Sequence, residues 1–294
     1  MGSLNSYTAE HQWVATNGIR LHVIQAGPKD GPLVILLHGF PELWYGWRYQ
    51  IPYLASAGYH VWAPDQRGYN LSDKPAGIAA YTLDTLTADV IGLIDAAGRE
   101  VAFLVGHDWG GAVAWWAATR YPQRVERMVV INAPHGTVMR KHLRHNPAQL
   151  LRSWYIFFFQ IPRLPEAMAR LEDWKMVVET LRQSSRPNTF SDADLELYKQ
   201  AWSQPKAYTC MLNWYRALMR GRPRLPSPPC LSVPTLLIWG ARDRFLGREM
   251  AQQSIDLCSE GRLVVIEEAT HWVQHEEADR VNALIADFLR SRDK

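Results

Sequence analysis

The sequence predicts an α/β fold: a mostly parallel eight-stranded sheet with helices on both faces and one all-helical insertion between the sixth and seventh strands. Three observations carry that prediction. Short unbroken apolar runs recur along the chain, as strands covered on both faces require. Helix-length segments separate them, so neighbouring strands must run parallel through helical crossovers. The rhythm then fails once, over a long stretch of helical periodicity with no buried strand.

The elements follow in order. Segments 11–17 and 19–27 meet at Asn17-Gly18, turn chemistry suited to a two-residue hairpin, so the chain opens antiparallel. Leu33-Val34-Ile35-Leu36-Leu37 is the first buried run, and others stand at 60–64, 101–105, 127–131, 234–239 and 262–266. Helices are expected at 47–57, 82–97, 109–121 and 273–290. The insertion reads as helices at 146–160, 165–182, 191–202 and 205–220. The stretch from Pro223 to Pro229 should return the chain as a stiff linker, because proline fixes φ and cannot continue a helix. Residues 1–136 and 229–294 therefore form the core, and 137–228 the helical insertion.

Composition excludes several classes of function. With 294 residues, 47% of them hydrophobic and 13 of them Trp, the chain can bury a large core and leaves no room for long disorder. Its net charge of +3 is scattered, with no basic stripe for nucleic acid. No stretch has the length of apolar chain a membrane span needs, and the first residues lack an export pattern. Cys210, Cys230 and Cys258 show neither paired nor metal-type spacing, so buried thiols in a reducing cytoplasm are expected.

In an open parallel sheet, ligands bind beyond the carboxyl ends of the strands. After the run 101–105 comes Gly106-His107-Asp108-Trp109-Gly110-Gly111, a strand-to-helix turn with Asp at its centre. Bulk at 106 or 110 would collide with the neighbouring strand and helix, and both positions are Gly. A carboxylate there attacks saturated carbon and leaves an ester, whereas a serine would attack a carbonyl. The following helix favours its ionised form through the helix dipole. The alternative is that Asp108 merely caps that helix.

Strand 234–239 leads to Asp243, and strand 262–266 to His271. The order nucleophile, acid, histidine matches one of the known chain orders of such triads. His271 would take a proton from water while Asp243 holds its tautomer. Each has a plainer alternative, a packed histidine and a turn carboxylate. His271 and His275 are four apart, but the glutamate that a zinc protease motif places beside the first histidine is Trp272 here. No metal or organic cofactor is expected. The loop His38-Gly39-Phe40-Pro41-Glu42 ends the first buried strand, and the backbone N–H groups of Phe40 and Trp109 are the candidate oxyanion hole.

With these residues assembled, the chain resembles the soluble epoxide hydrolases of the α/β-hydrolase superfamily, bacterial members above all. The resemblance rests on HGFPELWYGWRYQIPYLASAGYHVWAPDQRGYNLSDKP at 38–75, GHDWGGAVAWW at 106–116, NWYRAL at 213–218, WGARDRF at 239–245 and THWVQHE at 270–276, and it extends from about residue 10 to the end. It implies the α/β-hydrolase fold, with the insertion as a cap over the nucleophile and two cap tyrosines on the epoxide oxygen, here Tyr155 and Tyr215. Phenols in a dry pocket can donate to the alkoxide that ring opening develops. Tyr208, Met211, Leu212 and Tyr215 also form an apolar stripe that would serve as core alone. A small apolar epoxide is the expected substrate, in a pocket of Phe40, Pro41, Trp109, Phe158 and Trp214. The assembly is expected to be a monomer or homodimer.

Two other readings compete. Haloalkane dehalogenases resemble this chain in fold, Asp nucleophile and the Trp after it, but their pattern has Asn where Phe40 stands, and they need halide donors rather than phenols. Fluoroacetate dehalogenases use an arginine just after the nucleophile, which Trp109-Gly110-Gly111-Ala112 does not offer. A ligand-binding member of the fold would show a damaged triad, and here the triad is whole.

Overall fold

A computed structural model describes residues 9–221 and 231–290. The strands are β1 (Glu10–Thr16), β2 (Ile19–Ala26), β3 (Leu33–Leu37), β4 (His60–Pro64), β5 (Ala102–His107), β6 (Val125–Ile131), β7 (Thr235–Gly240) and β8 (Gly261–Ile266). They form one sheet in the order β1-β2-β4-β3-β5-β6-β7-β8. The pairs β1–β2 and β2–β4 are antiparallel and the rest parallel. Asn17 and Gly18, with φ of 44° and 76°, make the expected two-residue turn, the left-handed pair that matches the twist of a hairpin.

The helices are α1 (Gln50–Ser56), α2 (Leu83–Ala96), α3 (Trp109–Arg120), α4 (Gly136–His145), α5 (Pro147–Arg152), α6 (Trp154–Phe158), α7 (Leu164–Arg170), α8 (Lys175–Ser184), α9 (Asp192–Ser203), α10 (Ala207–Arg220), α11 (Glu249–Ile255), α12 (Val273–Glu276) and α13 (Ala278–Arg290). Side chains alternate across each strand, so Val34 and Leu36 join Ile51 of α1 and Ile285 of α13 in one core. Ile35 and Leu37 face the other way, into a larger core with Val90 of α2, Val113 of α3, Met250 of α11 and much of the insertion.

The insertion is more broken than periodicity predicts. The expected helix 146–160 is α5 and α6, divided at the buried Ser153, whose hydroxyl accepts from Gln149 Nε2 at 2.9 Å. The expected helix 165–182 is α7 and α8, divided by Glu172, Asp173 and Trp174, all at positive φ. The cause is tertiary. Trp174 turns inward against Trp202 and Tyr208, and its indole donates to Ser203 Oγ at 2.8 Å. Such a ring repays the strain of a left-handed backbone. The expected helix 273–290 likewise divides at Glu277 into α12 and α13. Helix α4 was not expected at all. The proposed linker Pro223–Pro229 lies outside the described residues.

Candidate active site

Asp108 sits between β5 and α3 at φ 51° and ψ −118°, a conformation that non-glycine residues rarely adopt. The chain makes this turn because nothing crowds it. A Cβ at Gly106 would stand 2.4 Å from the carbonyl oxygen of Gly110, and one at Gly110 would stand 1.9 Å from that of Leu37 on β3. Although Asp108 occupies the cap position of α3, its side chain makes no cap hydrogen bond. Its Oδ1 instead accepts from the backbone N–H of Phe40 at 2.9 Å. The Trp109 amide lies in the first turn of α3, where helix N–H groups have no intrahelical acceptor.

The other carboxylate oxygen, Oδ2, faces His271 Nε2 at 3.8 Å. His271 Nδ1 bonds Asp243 Oδ2 at 2.7 Å, in a buried pair. Asp243 Oδ2 also accepts from Asn132 Nδ2 at 2.7 Å, and its Oδ1 from the amides of Phe245 and Leu246 at 2.7 and 3.0 Å. Burial pushes the Asp243 carboxyl up, yet the His271 charge and these donors outweigh it and hold the carboxyl below its ordinary value. Burial pushes His271 down, but Asp243 and then Asp108 outweigh it and raise the imidazole from 6.5 to about 9. The Asp108–His271–Asp243 alignment can therefore hold one proton on the ring between two carboxylates.

That shift makes a stability prediction. A histidine raised on folding stabilises the native state fully below its unfolded value of 6.5, and the gain is lost as pH rises through about 9. Urea unfolding should thus show a fall on the order of 3 kcal/mol across that window. His271→Gln should flatten the slope, and an unchanged slope in that variant would assign it to other groups.

Tyr155 on α6 and Tyr215 on α10 border one cavity with Asp108 and Trp109, of about 730 Å³. Their rings lie 5.9 Å apart at 81°, and Tyr215 meets Trp109 edge-on at 5.0 Å. Burial first, and then the charge of Asp108, push both phenols well above their ordinary value, so both keep their protons. The remaining wall is largely apolar and includes Met139, Ile156, Phe157 and Leu218.

Of the residues expected to wall the pocket, Trp109 does so and four do not border this cavity. Phe40 packs against Tyr215 at 5.3 Å. Pro41 gives its carbonyl to the Trp202 indole at 2.6 Å. Trp214 is buried edge-on to Trp109 with its indole on Arg67 O at 3.1 Å, and Phe158 turns to Trp154, one helical turn back.

Further groups surround the triad that composition did not single out. Asn132 follows β6 and binds both Asp243 and the Gly240 amide, so the rule of looking beyond strand ends would have found it. Glu42 is buried and accepts from Tyr198 at 2.7 Å, Gln274 at 3.0 Å and His275 Nε2 at 2.7 Å. Burial opposes its ionisation, but His275 and His107 hold its carboxyl well below the ordinary range. His107 Nε2 lies 2.9 Å from the His271 carbonyl oxygen, which fixes the loop carrying that residue. His275 is thus engaged with Glu42 and with Arg48, at 2.9 Å, rather than with His271.

Residues 32–278 match the alpha/beta hydrolase fold family. The chain is 50% identical over 281 residues to the AB hydrolase superfamily protein YfhM of Bacillus subtilis (strain 168), covering 96% of this chain and 98% of that protein. It is 39% identical over 287 residues to Epoxide hydrolase 4 of Mus musculus, covering 96% and 79%. It also superposes, with a TM-score of 0.86 and 30% identity over 95% of this chain and 100% of the other, on a mutant epoxide hydrolase from Bacillus megaterium complexed with its product (R)-3-[1]naphthyloxy-propane-1,2-diol. Sheet order, site geometry and these likenesses agree: the chain belongs to the α/β-hydrolase superfamily and, within it, to the epoxide hydrolases.

Proposed function

We propose that this chain hydrolyses an epoxide to a vicinal diol through a covalent ester on Asp108. The observation that carries the reading is Asp108 at the cavity wall, with one oxygen held by a backbone donor and the other free beside His271. The free Oδ2 attacks a ring carbon, the C–O bond of the epoxide breaks, and the alkoxide takes a proton from Tyr155 or Tyr215. Water then adds to the Asp108 carboxyl carbon after giving its proton to His271, and the Phe40 and Trp109 amides hold the oxyanion on Oδ1. Collapse breaks the ester bond, His271 returns that proton to the departing alkoxide, the diol leaves, and the Asp108 carboxyl passes water's second proton to His271, restoring the resting pair.

The charge changes order these steps. In the resting site Asp108 helps to keep the proton on His271. Alkylation removes that negative charge, so the imidazole gives its proton to the tyrosinate left by ring opening and becomes a base once there is an ester to hydrolyse. Asp243 and Asn132 keep Nε2 aimed at the carboxyl carbon. Of the expected insertion 137–228, the described residues 137–221 act as a lid, contributing both phenols and excluding water during alkylation. Among the described residues no helix is long and apolar enough to cross a membrane. Cys210 is a buried free thiol, which suits the reducing cytoplasm to which we assign the protein.

The test is a panel of styrene oxide, glycidyl ethers, aliphatic epoxides and haloalkanes, read for diol and for halide. Diol from epoxides without halide from haloalkanes is the expected result. Halide release with no diol would make the chain a dehalogenase and contradict the reading.

A further inference from the structure

Along α5 and α6 the lid buries Gln149, Ser153, Ile156 and Phe159, residues three or four apart. Leu150, Trp154, Phe157 and Ile161 repeat that spacing on the opposite side, and all four are exposed. Leu151 next to them is 75% exposed and Trp154 62%. From Pro147 to Leu171 fifteen positions are exposed, of which twelve are apolar and the other three are Arg152, Arg163 and Arg170, so every exposed charge in this span is positive. The one carboxylate within it, Glu166, is mostly buried and paired with Arg216 at 2.8 Å. Glu172 and Asp173, which follow, are taken up by Lys175 and Lys199. The guanidinium groups of Arg152 and Arg163 have no partner among the described residues.

A run of large apolar side chains in water marks a surface that something covers. We infer that this face of the lid docks on a lipid bilayer with anionic headgroups. Charge decides among the possible covers. An isologous pairing of two copies would bring the arginines of both to one interface with no exposed carboxylate from the same span to answer them. Anionic headgroups supply that charge, and the acyl boundary below them takes up the leucines. The Trp154 ring, amphipathic and exposed, suits the headgroup level between the two. Two short helices with one apolar face lie in such a surface rather than crossing it. Phe157 belongs both to this exposed face and to the wall of the cavity that Asp108 borders, so the docked surface reaches the site. An apolar epoxide would dissolve in the same layer. That advantage rests on the epoxide reading, whereas the docking does not.

The experiment floats the full chain with vesicles of phosphatidylcholine alone and of phosphatidylcholine mixed with phosphatidylserine. Partitioning onto the mixed vesicles should be about tenfold stronger, as two arginines at a charged surface provide, and should fall as salt is added. Leu150→Gln with Leu151→Gln should weaken partitioning onto the mixed vesicles about tenfold. Arg152→Gln with Arg163→Gln should remove most of the preference for phosphatidylserine. All four side chains are exposed, and glutamine is a good helix former at the three in α5, so thermal unfolding of both variants should match the parent. No partitioning onto the mixed vesicles, equal partitioning onto both kinds, or partitioning unchanged in the folded leucine variant would overturn the inference. A dimer in sedimentation velocity that the leucine variant dissociates, without vesicle binding, would give the face to a second copy and overturn it as well. None of these readouts uses diol formation, so a failure here is distinct from a failure of the epoxide reading, which the substrate panel tests.

Discussion

Replacing Tyr155 and Tyr215 together by phenylalanine should slow alkylation by at least about 1,000-fold, whereas either single change should cost roughly 10- to 100-fold. Both phenols border the cavity with Asp108, and both keep their protons because burial and the nearby carboxylate disfavour phenolate. Either can therefore serve the alkoxide when its partner is missing. Phenylalanine keeps the rings, which pack against Phe159, Trp109 and Phe245, so the fold should survive and only the hydroxyls are lost. Single-turnover rates on one epoxide, with thermal unfolding as a control for folding, make the measurement. A folded double variant alkylated at the native rate would remove both tyrosines from the chemistry.

His271→Gln should stop turnover after one alkylation, with a loss of at least about 1,000-fold in steady-state rate. The variant retains Asp108, the Phe40 donor and both phenols, so the ring still opens, but no base remains to activate water. The enzyme should gain the mass of one epoxide, and digestion should place it on the peptide holding Asp108. Asp243→Asn should slow the same step less severely, since the imidazole stays but loses the carboxylate that orients Nδ1. Rapid diol formation by His271→Gln would show that the ester, if formed, needs no base from this residue.

The sheet was legible in the sequence because its strands are buried on both faces and read as plain apolar runs, with turns marked by pairs such as Asn17-Gly18. Asp108, His271 and Asp243 were legible for a related reason, since each follows a run whose end is set by those same patterns. The insertion was legible only as helical. Its breaks come from contacts made by residues far apart in sequence, as when Trp174 abandons helical geometry to reach Trp202 and Tyr208. Helix α4 escaped because Arg140, Lys141, His142, Arg144 and His145 leave little apolar periodicity, and it is held by capping at His135 and by packing on α11. The pocket wall was the least legible part. Aromatic side chains signal burial of large area, and Trp214 and Phe40 use it in edge-on packing against Trp109 and Tyr215.

Central to the account is the ester on Asp108, and oxygen tracing tests it most directly. With enzyme in excess over epoxide in heavy-oxygen water, the oxygen added to carbon in the first turnover comes from the carboxylate, and water oxygen enters only at the Asp108 carboxyl carbon. The account predicts a diol without label and a heavier peptide containing Asp108. Heavy oxygen in the first-turnover diol, with no label on Asp108, would mean that water attacks the ring directly and that Asp108 acts as a general base.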